Sequence, residues 1–441
     1  MKRIKSAFFK LISAFFIFIF LFKLNLCSVY AVPNENKLYA RYACIIDGNS
    51  KRILYGKNES APVPMASTTK IMTCIIALEF CDMDFKATTS HYAATMPDVQ
   101  LNAVSSDVFY IKDLLYSLML KSHNDTAVII AENTAYYFLC NLKNNTSDSL
   151  VEYNNDIQKF DISFIPSYDY NSDFIKDISN EQSKTLVNIF TMLMNKKALL
   201  LNCNDTHFVT PNGLDSYDDE GIHHTTAYEL SLIMAYCIEN EDFLKITQAS
   251  SHTFNELSKN KSYSVSNANS FLNMYPDIIS GKTGFTADAG YCYVCAYKSG
   301  DRIFIVSLLA CGWPGNKTYK WHDTRLLLDY GRSYFFPTIV SDDTKYINVT
   351  VKNGLETSVN LYYENQYSTL LSEYDNVNIV YNTPPFINAP VKKGDKYGFV
   401  NIYINNELVS VIDLLADNSV KKITLIYHFK KLIRLSLFVD K

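Results

Sequence analysis

No excess of basic charge is present in this 441-residue chain: 41 Lys and Arg stand against 45 Asp and Glu, a formal charge of −4. That balance argues against nucleic acid as a partner. No internal repeat of the solenoid kind is found. The apolar run Leu11 to Phe22 is ended by Lys23, short of the roughly 20 residues that a membrane-spanning helix needs. No second cysteine pair or histidine-rich cluster accompanies Cys292 and Cys295, so neither zinc nor redox chemistry is expected there. The surrounding YCYVCAY reads as a strand, in which an odd separation of three sends the two thiols to opposite faces. Cys74, Cys237 and Cys311 sit singly in apolar runs and read as small core residues. No Gly-x-Ser-x-Gly elbow surrounds a candidate serine, so His207, His223 and His224 read as loop and capping residues rather than members of a triad.

What is present begins with Lys2, Arg3, Lys5 and Lys10 ahead of the apolar run, with Val29-Tyr30-Ala31 as a small-residue cleavage site. Residues 1–31 are expected to be a secretory signal peptide, with an uncleaved anchor as the alternative. Leu26 before Cys27 is too bulky for a lipid-attachment site. Removing the signal takes away five basic residues (Lys2, Arg3, Lys5, Lys10 and Lys23) and no acidic one, moving the formal charge from −4 to −9.

Residues 32–337 mix helical and strand patterns. YIKDLLYSLML, DTAVIIAENTAYYF, LVNIFTMLMNKKALL and TAYELSLIMAYCI have helical period. YACIIDG with KRILYGK, and YCYVCAYK with DRIFIVSLLACG, read as two hairpins. The economical reading is an α+β domain, helices flanking a largely antiparallel sheet. From 338 to 420 short alternating runs between Gly, Pro, Asn and Asp turns predict a small all-β domain. The polar stretch from Asn141 to Asp177 lacks periodicity and is expected to be a surface insertion beside a substrate groove.

The chemistry sits in three short motifs. Ser67 and Lys70 open the apolar helix KIMTCIIALEF, and a spacing of three puts hydroxyl and amine on one helical face. Ser122-His123-Asn124 falls between two predicted helices, and Lys282-Thr283-Gly284 precedes a strand pair. Each motif alone also fits a cap, a turn or a plain loop. Ser-x-x-Lys, Ser-x-Asn and Lys-Thr-Gly in this order are the signature of penicillin-binding proteins and class A β-lactamases.

With CIIDGNSKRILYGKNESAPVPMASTTKIMT, SHNDTA, THFVTPNGLD, HHTTAYEL, SGKTGFTADAGYC and PGNKTYKWHD, the chain resembles the low-molecular-mass D-alanyl-D-alanine carboxypeptidases. The β-rich tail with APVKKGDKYG resembles that family's C-terminal domain. The resemblance implies a DD-peptidase/β-lactamase-like α+β fold and an exported protein at the extracytoplasmic face of the bacterial cell membrane or wall. Its substrate would be a peptidoglycan stem peptide ending in D-Ala-D-Ala, with β-lactams as covalent ligands and no metal or organic cofactor.

Residue chemistry assigns roles that agree. Ser67 is the nucleophile at a helix N-terminus, which favours developing negative charge. Lys70 is its base, made neutral by burial and by the like charge of Lys282. Ser122 relays a proton to the leaving amine, while Asn124 holds Lys70 and donates to the substrate backbone. Lys282, with the hydroxyls of Thr283 and Thr286, faces the terminal carboxylate, and Gly284 permits close approach. The resemblance implies that the N–H groups of Phe285 and Ser67 form the oxyanion hole.

Phe285 is expected to add an apolar wall, and His123 either shapes the cleft or faces solvent. A DD-endopeptidase, a β-lactamase and an idle penicillin-binding or wall-binding protein are the alternatives. For a lactamase the water-positioning Glu-x-x-Leu-Asn loop has its closest match at Glu241-Asp-Phe-Leu244-Lys245, which lacks the asparagine. Residues 421–441 are expected to form a basic amphipathic tail, with Ile426, Phe429, Ile433 and Leu437 at intervals of four. Such a helix lies in a membrane interface or else packs on the core.

Overall fold

The computed structural model describes residues 33, 35–144, 153–166, 170–259, 261–341, 346–364 and 366–436. The expected signal segment, residues 1–31, lies outside them. A five-stranded antiparallel sheet organises the first domain. β1 (Tyr42–Asp47) and β2 (Ile53–Lys57) form the first hairpin. β3 (Ile278–Thr286), β4 (Gly290–Ser299) and β5 (Arg302–Leu309) follow much later in the chain. The spatial order is β2-β1-β5-β4-β3, so β3 is an edge strand. Both predicted hairpins form; Gly300, at φ +60°, turns β4 into β5 where Ser299 pairs with Arg302, a conformation open to glycine without steric cost.

Both faces of this sheet are buried, which is why its strands read as nearly continuous apolar runs. On β4, Cys292, Val294 and Ala296 enter the core beneath the main helices. Tyr293, Cys295 and Tyr297 enter a second core against Leu327 and Leu328 of the helix Tyr319–Tyr334. The two thiols of the C-x-x-C thus lie on opposite faces, as the strand period requires. The nine described cysteines are all buried.

The helical layer contains α1 (Lys70–Phe80), α2 (Asn124–Asn144), α3 (Asn180–Leu200) and α4 (Ala227–Cys237). α1 is buried continuously from Lys70 to Ala77, so it needs no polar face and carries none. α3 starts with a capping box: Gln182 N donates to Ser179 Oγ at 3.2 Å, and Ser179 N donates to Gln182 Oε1 at 2.8 Å. At the start of α4 the Thr226 hydroxyl accepts from Glu229 N at 3.0 Å.

The polar stretch after residue 140 differs from the expected surface loop. α2 runs on to Asn144, and beyond it Ile157, Ile165, Ile175 and Ile178 are buried in the main core. Tyr170 stacks 4.2 Å from Phe85 and 5.0 Å from Tyr136, and its hydroxyl donates to Lys86 O at 2.8 Å. A few apolar side chains at irregular intervals anchor this segment, and irregular spacing leaves no periodic signal.

The second domain contains a six-stranded sheet. Five of its strands fall on the predicted runs: Ile347–Lys352, Ser358–Tyr362, Val377–Asn382, Lys396–Ile404 and Glu407–Ala416. The strand pair Phe336–Ser341 and Tyr367–Leu371 was not anticipated. The domain docks on the first hairpin: Asp47 Oδ2 accepts from Leu370 N at 3.0 Å, and Arg52 pairs with Asp375 at 2.6 Å. The final helix, Leu425–Ser436, is not core-packed; Leu425 is 88% and Phe429 66% exposed. Leu437 of the expected stripe lies outside the described residues. Among those residues no helix is long and apolar enough to cross a membrane.

Candidate active site

Ser67 lies in a tight turn, Ala66–Thr69, that runs directly into α1 at Lys70. Ala66 has φ +49°, a left-handed conformation that costs a non-glycine residue about 1–2 kcal/mol. Packing holds it there. Gly213, at φ +80°, lies so close that an added Cβ would be 2.1 Å from Ala66 O. On the other side, a Cβ on Gly284 would be 2.9 Å from Ser67 N. The edge strand β3 therefore lies against the backbone of the Ser67 turn, with no room for a side chain at Gly284.

Lys70 is fully buried, and its Nζ donates to Ser67 Oγ at 2.8 Å, Asn124 Oδ1 at 2.9 Å and Asn212 O at 2.5 Å. Burial first, and then the charge of Lys282, hold its pKa well below the usual lysine value, with Asp125 opposing. The partners define what the neutral amine would do. Asn124 Oδ1 and Asn212 O can only accept, so they take the two N–H groups of an NH2. The remaining lone pair is then directed at Ser67 Oγ.

Lys282 is also buried, and burial lowers its pKa to about 7. Its Nζ donates to Ser122 Oγ at 2.8 Å and to Thr283 O at 2.9 Å. Ser122 has φ +67° and follows a single wide turn, Ser117–Lys121. Its hydroxyl meets Lys282; a direct bond to Lys70 is not formed. The three motifs, distant in sequence, thus converge on one cluster.

Two assignments change in detail. Asn124 was expected to donate to the substrate, yet its amide donates to Pro97 O at 3.1 Å and Asp98 O at 3.0 Å. An amide has two N–H groups, so Asn124 here positions Lys70 and the loop at 97–99. Thr286 was expected beside the terminal carboxylate, but its hydroxyl donates to Asp215 Oδ1 at 2.8 Å and accepts from Ala289 N at 3.1 Å. Phe285 is 42% exposed, with its ring 4.7 Å from that of Tyr291, and presents an apolar wall. Glu241 stands exposed in the first turn of a separate helix, Glu241–Gln248.

Several residues escaped the motif reading. Asn212 contributes through its carbonyl, an atom that any residue has. His223, read as a loop or capping residue, is buried behind the nucleophile. Its Nδ1 accepts from Val209 N at 2.9 Å and lies 3.3 Å from Thr210 N, while its Nε2 is 2.7 Å from Thr69 Oγ1. An accepting Nδ1 leaves the hydrogen on Nε2, which donates to Thr69. The Thr69 hydroxyl in turn donates to Ala66 O at 2.8 Å. Burial keeps His223 neutral, with its pKa lowered to about 3. His123 is likewise buried, its Nδ1 2.8 Å from Ser117 Oγ, so it shapes the interior rather than facing solvent. Asp125 receives Leu101 N at 2.9 Å and Ala103 N at 3.2 Å, which secures the loop above Asn124. The THFVTPNGLD and HHTTAYEL blocks contained Asn212 and His223, but only the fold brings them to Ser67.

A serine bonded to a buried lysine under an edge strand, beside a second serine–lysine pair, is the arrangement of a serine acyl-transfer enzyme. Comparison with known proteins identifies which class. The D-alanyl-D-alanine carboxypeptidase family pattern matches residues 30–136 and 186–310, and the C-terminal domain pattern of penicillin-binding protein 5 matches 337–422. The chain belongs to the D-alanyl-D-alanine carboxypeptidase family. It is 24% identical to the D-alanyl-D-alanine carboxypeptidase DacF of Bacillus subtilis over 401 residues, covering 89% of this chain and 88% of that one. It is 27% identical to DacB2 of Mycobacterium tuberculosis, covering 65% and 80%. In fold it is similar to penicillin binding protein 5 from Haemophilus influenzae, with a TM-score of 0.64, 21% identity and coverage of 89% and 99%. The gap between the two matched segments, 137–185, contains the anchored insertion.

Proposed function

We propose that the chain removes the terminal D-alanine from peptidoglycan stem peptides through an acyl-enzyme on Ser67. The observation that carries this reading is the Lys70 amine, buried between two carbonyl acceptors and 2.8 Å from Ser67 Oγ. Neutral Lys70 takes the Ser67 proton as Oγ bonds to the penultimate D-Ala carbonyl carbon. The N–H groups of Ser67 and Phe285 receive the oxyanion. Lys70 returns its proton through Ser122 to the departing amine; because Ser122 Oγ accepts from Lys282, its own hydrogen is directed elsewhere and can be passed on. Collapse breaks the peptide bond and frees D-alanine. Water, deprotonated by Lys70, then cleaves the ester. The ammonium of Lys282 pairs with the free carboxylate, and the Thr283 hydroxyl assists it. A β-lactam offers the same carbonyl and carboxylate and acylates the same serine.

The working location in this reading is the extracytoplasmic face of the cell membrane, after export on the segment 1–31. The exposed helix Leu425–Ser436 lies in the membrane interface, with Ile426, Phe429 and Ile433 facing the acyl chains and Lys430, Lys431 and Arg434 meeting anionic headgroups. The test pairs a fluorescent penicillin with diacetyl-Lys-D-Ala-D-Ala. A persistent adduct that is absent in Ser67→Ala, together with released D-alanine, supports the reading. An adduct without release points to an idle binder, and rapid loss of the adduct to a lactamase.

A further inference from the structure

A cavity of about 700 Å³ is lined by α3 and by residues on either side of Asn212. Part of its wall, including Lys159 and Phe160, comes from the segment 137–185 that interrupts the family match. The rest includes Thr210, Ser216, Tyr217 and Glu220. This wall connects to the active site at both ends of one loop. Thr210 is two residues before Asn212, whose carbonyl holds Lys70. Ser216 follows Asp215, whose carboxylate holds Thr286 at the end of β3.

Substrate direction follows from the charges. The terminal carboxylate belongs at Lys282 and the scissile carbonyl at Ser67, so the rest of the peptide must run away from Lys282. Along β3, Thr286 lies roughly 13 Å beyond Lys282 at about 3.3 Å per residue. Thr286 is bonded to Asp215, and Ser216 and Tyr217, which follow it in the chain, line the cavity. A stem peptide has a diamino acid just before the acylated D-Ala, and a γ-linked D-glutamate, with a free α-carboxylate, before that. The cavity offers both matching charges, with Glu220 and Asp218 as anions and Lys159 and Lys184 as cations; Asp218 Oδ1 already receives Glu220 N and Gly221 N and lies 2.8 Å from His207 Nε2, which leaves its second oxygen for a ligand. The ion pairs of these lysines, Lys159 to Asp156 at 3.8 Å and Lys184 to Glu181 at 2.9 Å, are surface pairs worth little and easily exchanged.

We propose, resting on the carboxypeptidase reading above, that this cavity is the subsite for the acyl-donor side of the stem peptide. It holds the diamino-acid amine against Glu220 and Asp218, and the D-glutamate carboxylate against Lys159 and Lys184. The insertion thereby makes the enzyme prefer long, uncapped stems over short capped tripeptides.

Two substrates test this: the pentapeptide L-Ala-γ-D-Glu-diamino acid-D-Ala-D-Ala with its side-chain amine free, and diacetyl-Lys-D-Ala-D-Ala, which has neither charge. The variant is Tyr217→Ala with Glu220→Gln. Tyr217 is 80% exposed, so its loss leaves no cavity in the core. Acylation by fluorescent penicillin verifies an intact Ser67 in both proteins. The expected result is a fall of about tenfold in the ratio of kcat/KM for the pentapeptide to that for the capped tripeptide. An unchanged ratio, whether both values stay or fall together, overturns the subsite. Absence of D-alanine release from both substrates by the unaltered chain overturns the carboxypeptidase reading itself.

Discussion

The catalytic cluster and the terminal helix are opposite kinds of structure. In the cluster, Ser67, Lys70, Ser122 and Lys282 come from three separate motifs, and both lysines are buried. Each lysine amine holds several partners, and the surroundings, not the side chains themselves, lower the lysine pKa values. In the helix Leu425–Ser436 the residues are contiguous and exposed, and their amphipathic period is the whole of the design. Chemistry in this protein depends on enclosure, whereas a surface-directed segment depends on pattern alone. Packing defects should therefore silence the first and leave the second untouched.

The largest effect is expected from Lys70→Ala, which removes the base: D-alanine release should fall about 10⁴-fold or more, while circular dichroism and vesicle binding stay as before. Retained turnover would break the contrast at once. Gly213→Ala is next. Its Cβ has no room against Ala66 O, so penicillin acylation measured by stopped flow should drop about a hundredfold, with no change in how the terminal helix binds lipid.

Thr69→Val keeps shape but ends the hydrogen-bond chain from His223 to Ala66 O. An unpaired buried donor costs about 1–3 kcal/mol, so the acylation rate constant should fall about tenfold while non-covalent affinity for the β-lactam holds. A change confined to affinity would mean that His223 is only structural. The pH dependence is milder. Lys282 with a pKa of about 7 is charged below that value and neutral above it, so kcat/KM for a carboxylate-bearing substrate should decline as pH rises through 7. Stability responds in the other direction. The folded pKa values of His223 and His123 are lowered to about 3 and 4, so the unfolded chain takes up protons first as pH falls below about 6.5. Thermal unfolding should show stability lost between there and pH 4, by about 1.4 kcal/mol per pH unit for each group.

The smallest effect on chemistry comes from the tail. Replacing Lys430, Lys431 and Arg434 by Gln should weaken binding to anionic vesicles, by about 1 kcal/mol per charge. Hydrolysis of a soluble peptide should not change. A change there would show that the helix communicates with the cluster.

Much of this was readable in the chain. The paired strands of both hairpins, the apolar helix after Ser67 and five strands of the second domain all have a period that appears directly in the residues. The three motifs were legible because their own side chains make the contacts that join the cluster. Asn212 was not, because it acts through a backbone carbonyl. His223 was not, because a buried neutral histidine and a loop histidine are the same letter. The commitments of Asn124 to Pro97 and Asp98, and of Thr286 to Asp215, needed neighbours that lie far away along the chain.

By itself the sequence determined the element types, the order of helical and β-rich regions and the side chains that the fold gathers, since these follow from local period and residue type. Only the tertiary structure decided that Lys70 has two carbonyls for its hydrogens and a lone pair for Ser67. It also turned an irregular polar segment into an anchored wall beside the site. Both outcomes depend on burial and on contacts between residues distant in sequence, and neither leaves a periodic trace in the chain.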